Sequence, residues 1–361
     1  MKGRRALPIL VVVLLLLGAS TASAQTDTPQ NPPQQVLGKI VNRTTQGQVP
    51  EGLTIMLHAW EQAGADLGML HGVSGPDGEV SFPDVEVEPG AYYAVMVVYN
   101  EGSYLSEQVV AQEGQELPPF EIGIFESTSE LSAVTVDSQH VFFSLSQGGL
   151  AVAEVYSLSN SGDQTVAKSV AVDGGGEGTL AFPLPDGAAN VSFPGASEDR
   201  FLLAAPGFVD TMPLVPGEGT GRVVVTYVLP YQDEMMFERQ SAYAVGVLAF
   251  LIPHAGSLTL TAEGTTYEGP QRMGENEVFD AYSVQDIRKG SSVKVLLSGA
   301  PPDAATGMVA NVETEPREGI ALGLGMLGLA MVVAGVWWWR RGRDEPEIEE
   351  AIEGAEPEWT G

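Results

Sequence analysis

The stretch from Ile320 to Trp339, "IALGLGMLGLAMVVAGVWWW", carries no charge. At about 1.5 Å per residue, an α-helix of this length crosses the ~30 Å hydrocarbon layer of a bilayer. Trp337, Trp338 and Trp339 close it with aromatic rings suited to the headgroup level, and Arg340, Arg341 and Arg343 follow at once. Cations at one end of an apolar span mark the cytoplasmic side. The sequence therefore predicts a single-pass transmembrane helix over 320–339, with residues 340–361 as an acidic cytoplasmic tail. Everything upstream must then fold on the far side of the membrane.

The N-terminus agrees with this topology. Lys2, Arg4 and Arg5 precede an apolar run from Leu7 to Leu17, and Ala22-Ser23-Ala24 supplies small residues for cleavage. That three-part layout predicts a secretory signal peptide over 1–24. No cysteine follows the apolar run, which excludes a lipid anchor there. Within the membrane span, Gly319 with Gly323 and Ala321 with Gly325 have the small-xxx-small spacing that lets two helices pack closely.

About 300 residues lie between these segments, too many for one small sandwich and enough for two or three. The chain has 47 acidic and 17 basic residues, a net charge of -30. Such a surface repels nucleic acid and anionic headgroups, and it is compatible with a cationic partner or a divalent ion. There are no cysteines, so disulfides, thiolate metal sites and covalent haem attachment are impossible. An exported chain without disulfides points to a bacterial or archaeal envelope.

Residues 25–35, "QTDTPQNPPQQ", are polar and proline-rich and read as a flexible spacer. Residues 36–125 read as a first all-β module. "LTIMLHAW" alternates apolar residues with period two, and "AYYAVMVVY" is rich in branched and aromatic side chains. "GPDG" is a turn, in which Pro76 presets its backbone angle and Gly78 can take a positive one. No window has a helical period. The order of "PDGEVSFPDVEVEPGAYYAVMV" and "GSYLSE" places Asp77, Gly78, Phe82, Gly90, Tyr93 and Tyr104 at turn, strand and aromatic positions. This pattern resembles the carboxypeptidase regulatory-like (transthyretin-like) β-sandwich, which belongs to a carbohydrate-binding-like superfold. The resemblance implies a fold and brings no catalytic residues with it. Trp60, Tyr92, Tyr99 and Tyr104 form a candidate ligand platform, on which aromatic faces would stack on sugar rings; packing in the core or across strands is the other reading.

Residues 126–315 read as a second β region with Greek-key spacing. A boundary near Tyr231 would divide it into two smaller domains; otherwise it is one large one. "YSLSNSGDQTV" followed by "LAFPLPDGAANVSF" is similar to immunoglobulin-like modules of bacterial surface proteins. The expected fold class is thus an all-β tandem sandwich ectodomain on one C-terminal helix.

Catalytic chemistry is not legible. His58, His71, His140 and His254 lack the spacing of a zinc helix. Glycine turns occur without the lysine of a phosphate loop. Glu198-Asp199 and Asp233-Glu234 are adjacent acids with no facing geometry defined. The expectation is no catalytic, cofactor-binding or metal-binding residue, no cofactor and no enzyme. The tail could form one short amphipathic helix through Ile348 and Ile352, and carries no signalling module. The chain reads as a membrane-anchored binding, structural or accessory subunit with protein partners. Carbohydrate binding by the first module is the alternative, and a hydrolase in the second region is a weaker one.

Overall fold

The computed structural model describes residues 32–146, 149–172, 176–273 and 277–300. The expected signal peptide, the expected span with Gly319, Gly323, Gly325 and Trp337–Trp339, the arginines Arg340, Arg341 and Arg343, and the expected acidic tail all lie outside these residues. Among the described residues no helix is long and apolar enough to cross a membrane. Their architecture is all-β and multi-sheet.

The first unit has eight strands: β1 (Gln34–Asn42), β2 (Thr54–Trp60), β3 (Asp66–Val73), β4 (Glu79–Val85), β5 (Tyr92–Tyr99), β6 (Gly102–Leu105), β7 (Val109–Val110) and β8 (Phe120–Ile124). Gln34 and Gln35, expected in the spacer, already belong to β1, where Gln34 Oε1 accepts the Leu117 N–H at 2.7 Å. One sheet has the order β4-β1-β8, and the other runs β3-β2-β5-β6 with β7 also on β5. Val36 and Ile40 of β1, Ile55 and Leu57 of β2, Val95 and Val97 of β5, and Ile122 and Ile124 of β8 share one core cluster. The two sheets therefore face each other across one apolar layer, as period-two strands with one buried face must. The turn before β4 is a short 3-10 segment, Pro76–Gly78, with positive φ at Asp77 and Gly78. A Cβ at Gly78 would lie 2.7 Å from the Ile40 carbonyl oxygen, so glycine is required there on both counts.

The second unit contains the remaining strands. They are β9 (Ser127–Thr128), β10 (Val134–Ser146), β11 (Gly149–Asn160), β12 (Thr165–Val166), β13 (Val170–Val172) and β14 (Gly176–Gly178). Next come β15 (Leu180–Pro183), β16 (Ala189–Ser192), β17 (Phe201–Ala204), β18 (Gly207–Asp210) and β19 (Gly217–Leu229). β20 (Glu234–Gln240), β21 (Ala244–Pro253), β22 (Thr259–Thr261), β23 (Thr266–Met273), β24 (Glu277–Ile287) and β25 (Ser292–Ser298) complete it. A seven-stranded sheet, β16-β19-β11-β10-β21-β24-β23, is joined by two three-stranded sheets, β15-β18-β17 and β20-β25-β22. One continuous core cluster runs from Val134 to Leu297 and draws residues from both sides of Tyr231.

A polar group of five crosses this second core. Glu154 of β11 is fully buried, and Arg239 of β20 is 3% exposed. The Glu154 carboxylate accepts hydrogen bonds from Gln139 Nε2 at 2.8 Å and from the hydroxyls of Tyr156 and Tyr227. Arg239 Nη1 donates to the Pro183 carbonyl at 2.7 Å, and Nη2 donates to the Tyr156 hydroxyl. Its Nε lies 3.0 Å from Glu154 Oε2 but off the hydrogen-bond axis, so that contact is Coulombic. Burial opposes the charge on Arg239, but Glu154 and the two tyrosine hydroxyls more than offset it and raise the guanidinium pKa above its ordinary value. Burial likewise pushes the Tyr156 and Tyr227 hydroxyls far up, so both remain donors.

Breaking one side of such a group strands a buried charge. Arg239→Met is expected to cost about 3–5 kcal/mol of unfolding free energy. Lys168→Ala, which removes the exposed pair with Glu101, is expected to cost under ~1 kcal/mol. Urea denaturation of both variants checks this, and equal midpoints would contradict it.

Candidate functional site

The four aromatics expected to form one platform are divided between two locations by the alternation of β5. Tyr93, Val95 and Val97 point into the first core, whereas Tyr92, Met96 and Val98 point outward. Trp60 on β2 pairs directly with Tyr92. Their rings lie 6.0 Å apart at a 12° interplanar angle, and the His58 ring sits 5.2 Å from Trp60. Both Trp60 and Tyr92 are half-buried on the outer face of the sheet.

Tyr99 and Tyr104 do not join them. Tyr104 pairs with Val97, an inward position, and is 4% exposed. Its hydroxyl donates to the Phe125 carbonyl at 3.1 Å and lies 2.8 Å from Thr165 Oγ1. The Tyr99 hydroxyl donates to Glu126 Oε1 at 2.8 Å. Both rings have therefore become part of the seam between the two units.

That seam is built from named polar contacts. Glu126 accepts from Asn42 Nδ2 at 2.9 Å and from Asn100 Nδ2 at 3.0 Å as well as from Tyr99. Asn42 ends β1 and Tyr99 ends β5, so one carboxylate ties both sheets of the first unit to the start of the second. Thr44 Oγ1 accepts the Glu126 N–H and donates to the Asp163 carbonyl at 2.7 Å. The Thr45 N–H donates to Asp163 Oδ2 at 2.9 Å. Short β9 pairs in parallel with β12, and Val215 of the second unit packs on the first core. The Tyr99 hydrogen bond, seconded by Asn42 and Asn100, outweighs partial burial and holds the Glu126 carboxyl below its ordinary value.

The histidines are distributed unevenly. His58 Nε2 lies 3.0 Å from Asp66 Oδ1, and Asp66 Oδ1 also accepts the Gly68 N–H at 2.8 Å. His71 stands exposed on β3 beside this pair. His254 Nδ1 is 2.9 Å from Asp280 Oδ1, which also accepts the Tyr267 hydroxyl at 2.7 Å. His140 on β10 is held down to about 4 by burial alone. Glu198, Asp199, Asp233 and Glu234 all lie exposed on the second unit. Among the described residues no group of three or more His, Asp or Glu is placed to hold a metal ion. The residues that sequence reasoning did not single out are Glu126, Asp163, Glu154 and Arg239. Each takes at least one partner from a distant segment, and spacing along the chain gives no sign of it.

No known family model matches this chain, and no curated protein matches it. A chain among the solved structures, described as "Structural basis for Dscam isoform specificity", is 14% identical over 74% of this chain and 71% of its own length, with a TM-score of 0.13. A likeness of that size carries no argument about fold or function.

Proposed function

We propose that this chain is a non-enzymatic envelope protein. Its two β units stand outside the cell on one C-terminal helix and act as a binding, structural or accessory subunit. The first unit is assigned to the carboxypeptidase regulatory-like sandwiches on the residues from Asp77 to Tyr104, and residues 126–315 are assigned to one larger immunoglobulin-like sandwich. The signal peptide and the Ile320–Trp339 span support the topology. The observation that carries the mechanical role is the seam, in which Tyr99, Tyr104, Asn42 and Thr44 are committed to Glu126, Thr165 and Asp163. Polar groups satisfied across a junction fix its angle, because any rotation leaves them unpaired. A stiff arm displays its loops at a set distance from the membrane to partners in the same complex.

One observation favours a second reading. Trp60 and Tyr92 present two nearly parallel rings on an outer face, a shape that suits a pyranose ring. In that case Trp60→Ala would abolish retention on a polysaccharide array while leaving the circular dichroism spectrum unchanged. Equal retention of both proteins excludes it.

Topology is tested by adding protease to intact cells, which is expected to trim the bulk of the polypeptide; full protection would overturn the proposal. Stiffness is tested through Glu126. Its folded pKa is lowered, so its contribution is complete at neutral pH and is lost as pH falls through that lowered value. Because the chain has no cysteine, one introduced cysteine in each unit can carry a spin label without background. The inter-label distance distribution is expected to be narrow at pH 7 and to broaden as the pH drops below the ordinary carboxylate range. With Glu126→Gln it should be broad at both pH values. A distribution that ignores both pH and the substitution contradicts a carboxylate-held seam.

A further inference from the structure

The outer face of the β3-β2-β5 sheet gathers soft ligands. Met56 of β2 lies directly opposite His71 of β3, and His58 of β2 lies directly opposite Met69. On its other side Met56 opposes Met96 of β5. All five point away from the core, because the residues between them, Ile55, Leu57, Val95 and Val97, are buried in it. Directly opposed side chains have Cβ atoms about 4.5–5.5 Å apart, and steps of two along a strand add about 6.8 Å. Two methionines and two histidines thus stand at the corners of one small rectangle, with each methionine across from a histidine.

The corners are available for ligation. Met69 is 41% exposed, His71 is exposed, and Met56 and His58 are half-exposed. The His71 side chain, unlike its backbone in the β2–β3 ladder, makes no hydrogen bond or ion pair among the described residues. His58 is already oriented: Asp66, itself fixed by the Gly68 N–H, holds its Nε2 at 3.0 Å. This leaves Nδ1 as the free nitrogen. A carboxylate on the far nitrogen of a histidine is the usual support of a metal-ligating imidazole.

We infer that Met56, His58, Met69 and His71 form a site for a soft monovalent metal ion, copper(I), with Met96 flanking it. The donor set selects the ion. Thioethers are soft, polarizable donors that favour copper(I), and imidazole accepts it too. The rectangle itself offers no oxygen ligand to calcium or magnesium. A thioether also carries no proton to displace, so two of the four ligands need no deprotonation.

The test titrates the full-length chain in detergent with silver(I), a redox-inert stand-in, and repeats the measurement with copper(I) in competition with a chromophoric chelator. One equivalent is expected to bind, with zinc(II) binding more weakly. Asp66→Asn should weaken it about tenfold or more, as loss of such a support does elsewhere. His71→Ala and the volume-conserving Met56→Leu/Met69→Leu pair should weaken it further, with unchanged circular dichroism. Met212→Leu and Met236→Leu, at exposed positions of the second unit, should leave it unaltered. In spectra of methyl-labelled methionine, the Met56 and Met69 resonances should shift on silver addition. Absence of binding, binding indifferent to His71 and the two methionines, or a preference for zinc(II) would each overturn the inference.

Discussion

Successive side chains of a strand point to opposite faces, and a sandwich has only one interior to fill. In the first unit this constraint decides the fate of every residue of interest. Even steps from Ile55 and Val95 lead to the core, and odd steps lead to the outer face. On β5 it splits a run of aromatics, so Tyr92 meets Trp60 outside while Tyr99 turns toward Glu126. The core, the seam and the outer face are therefore three results of one alternation, and a one-residue slip in the β2–β5 register would exchange them all.

The second unit faces a different demand. With no cysteine in the chain, nothing covalent holds its sheets together, and an apolar layer alone is indifferent to small shifts between them. Glu154 on the seven-stranded sheet and Arg239 on the β20-β25-β22 sheet can meet in one arrangement only. The desolvation of two charges is large, and a well-packed apolar pair of similar volume would often be as stable or more so. What the ionic group adds is a penalty on alignments that part it, since a buried charge left without its partner costs about 3–5 kcal/mol. Tyr156, Tyr227 and Gln139 strengthen this by satisfying the carboxylate's remaining lone pairs.

Legibility followed the same physics. β2 and β5 are readable in the sequence because burial of one face imposes alternation on their composition. β3 has no legible strand period: its first six positions are all exposed, Gly68 and Gly72 interrupt it, and an edge strand under no burial constraint imposes no alternation. Parity within β5 was available, since positions 92 and 99 differ by an odd number and cannot share a face of a regular strand. Register between strands was not. The histidines His58 and His71 are thirteen residues apart, and only the β2–β3 pairing brings them to adjacent corners with Met56 and Met69. The seam was hidden for a similar reason, because Glu126 takes its donors from positions 42, 99 and 100.

The outer face and the seam draw on different residues of the first unit, and this separates what they can do. A group bound by Met56 and His71 touches no residue that holds Glu126 or Thr165. Occupancy of that face therefore does not compete with the contacts that set the angle between the units. The acidic residues that keep the rest of the molecule soluble are not drawn into this patch, apart from Asp66, which is turned to His58. Apart from Asp66, the residues of this outward face are soft and carry no carboxylate, within a chain of net charge -30, and the inferred site draws on a chemistry that carboxylates cannot supply.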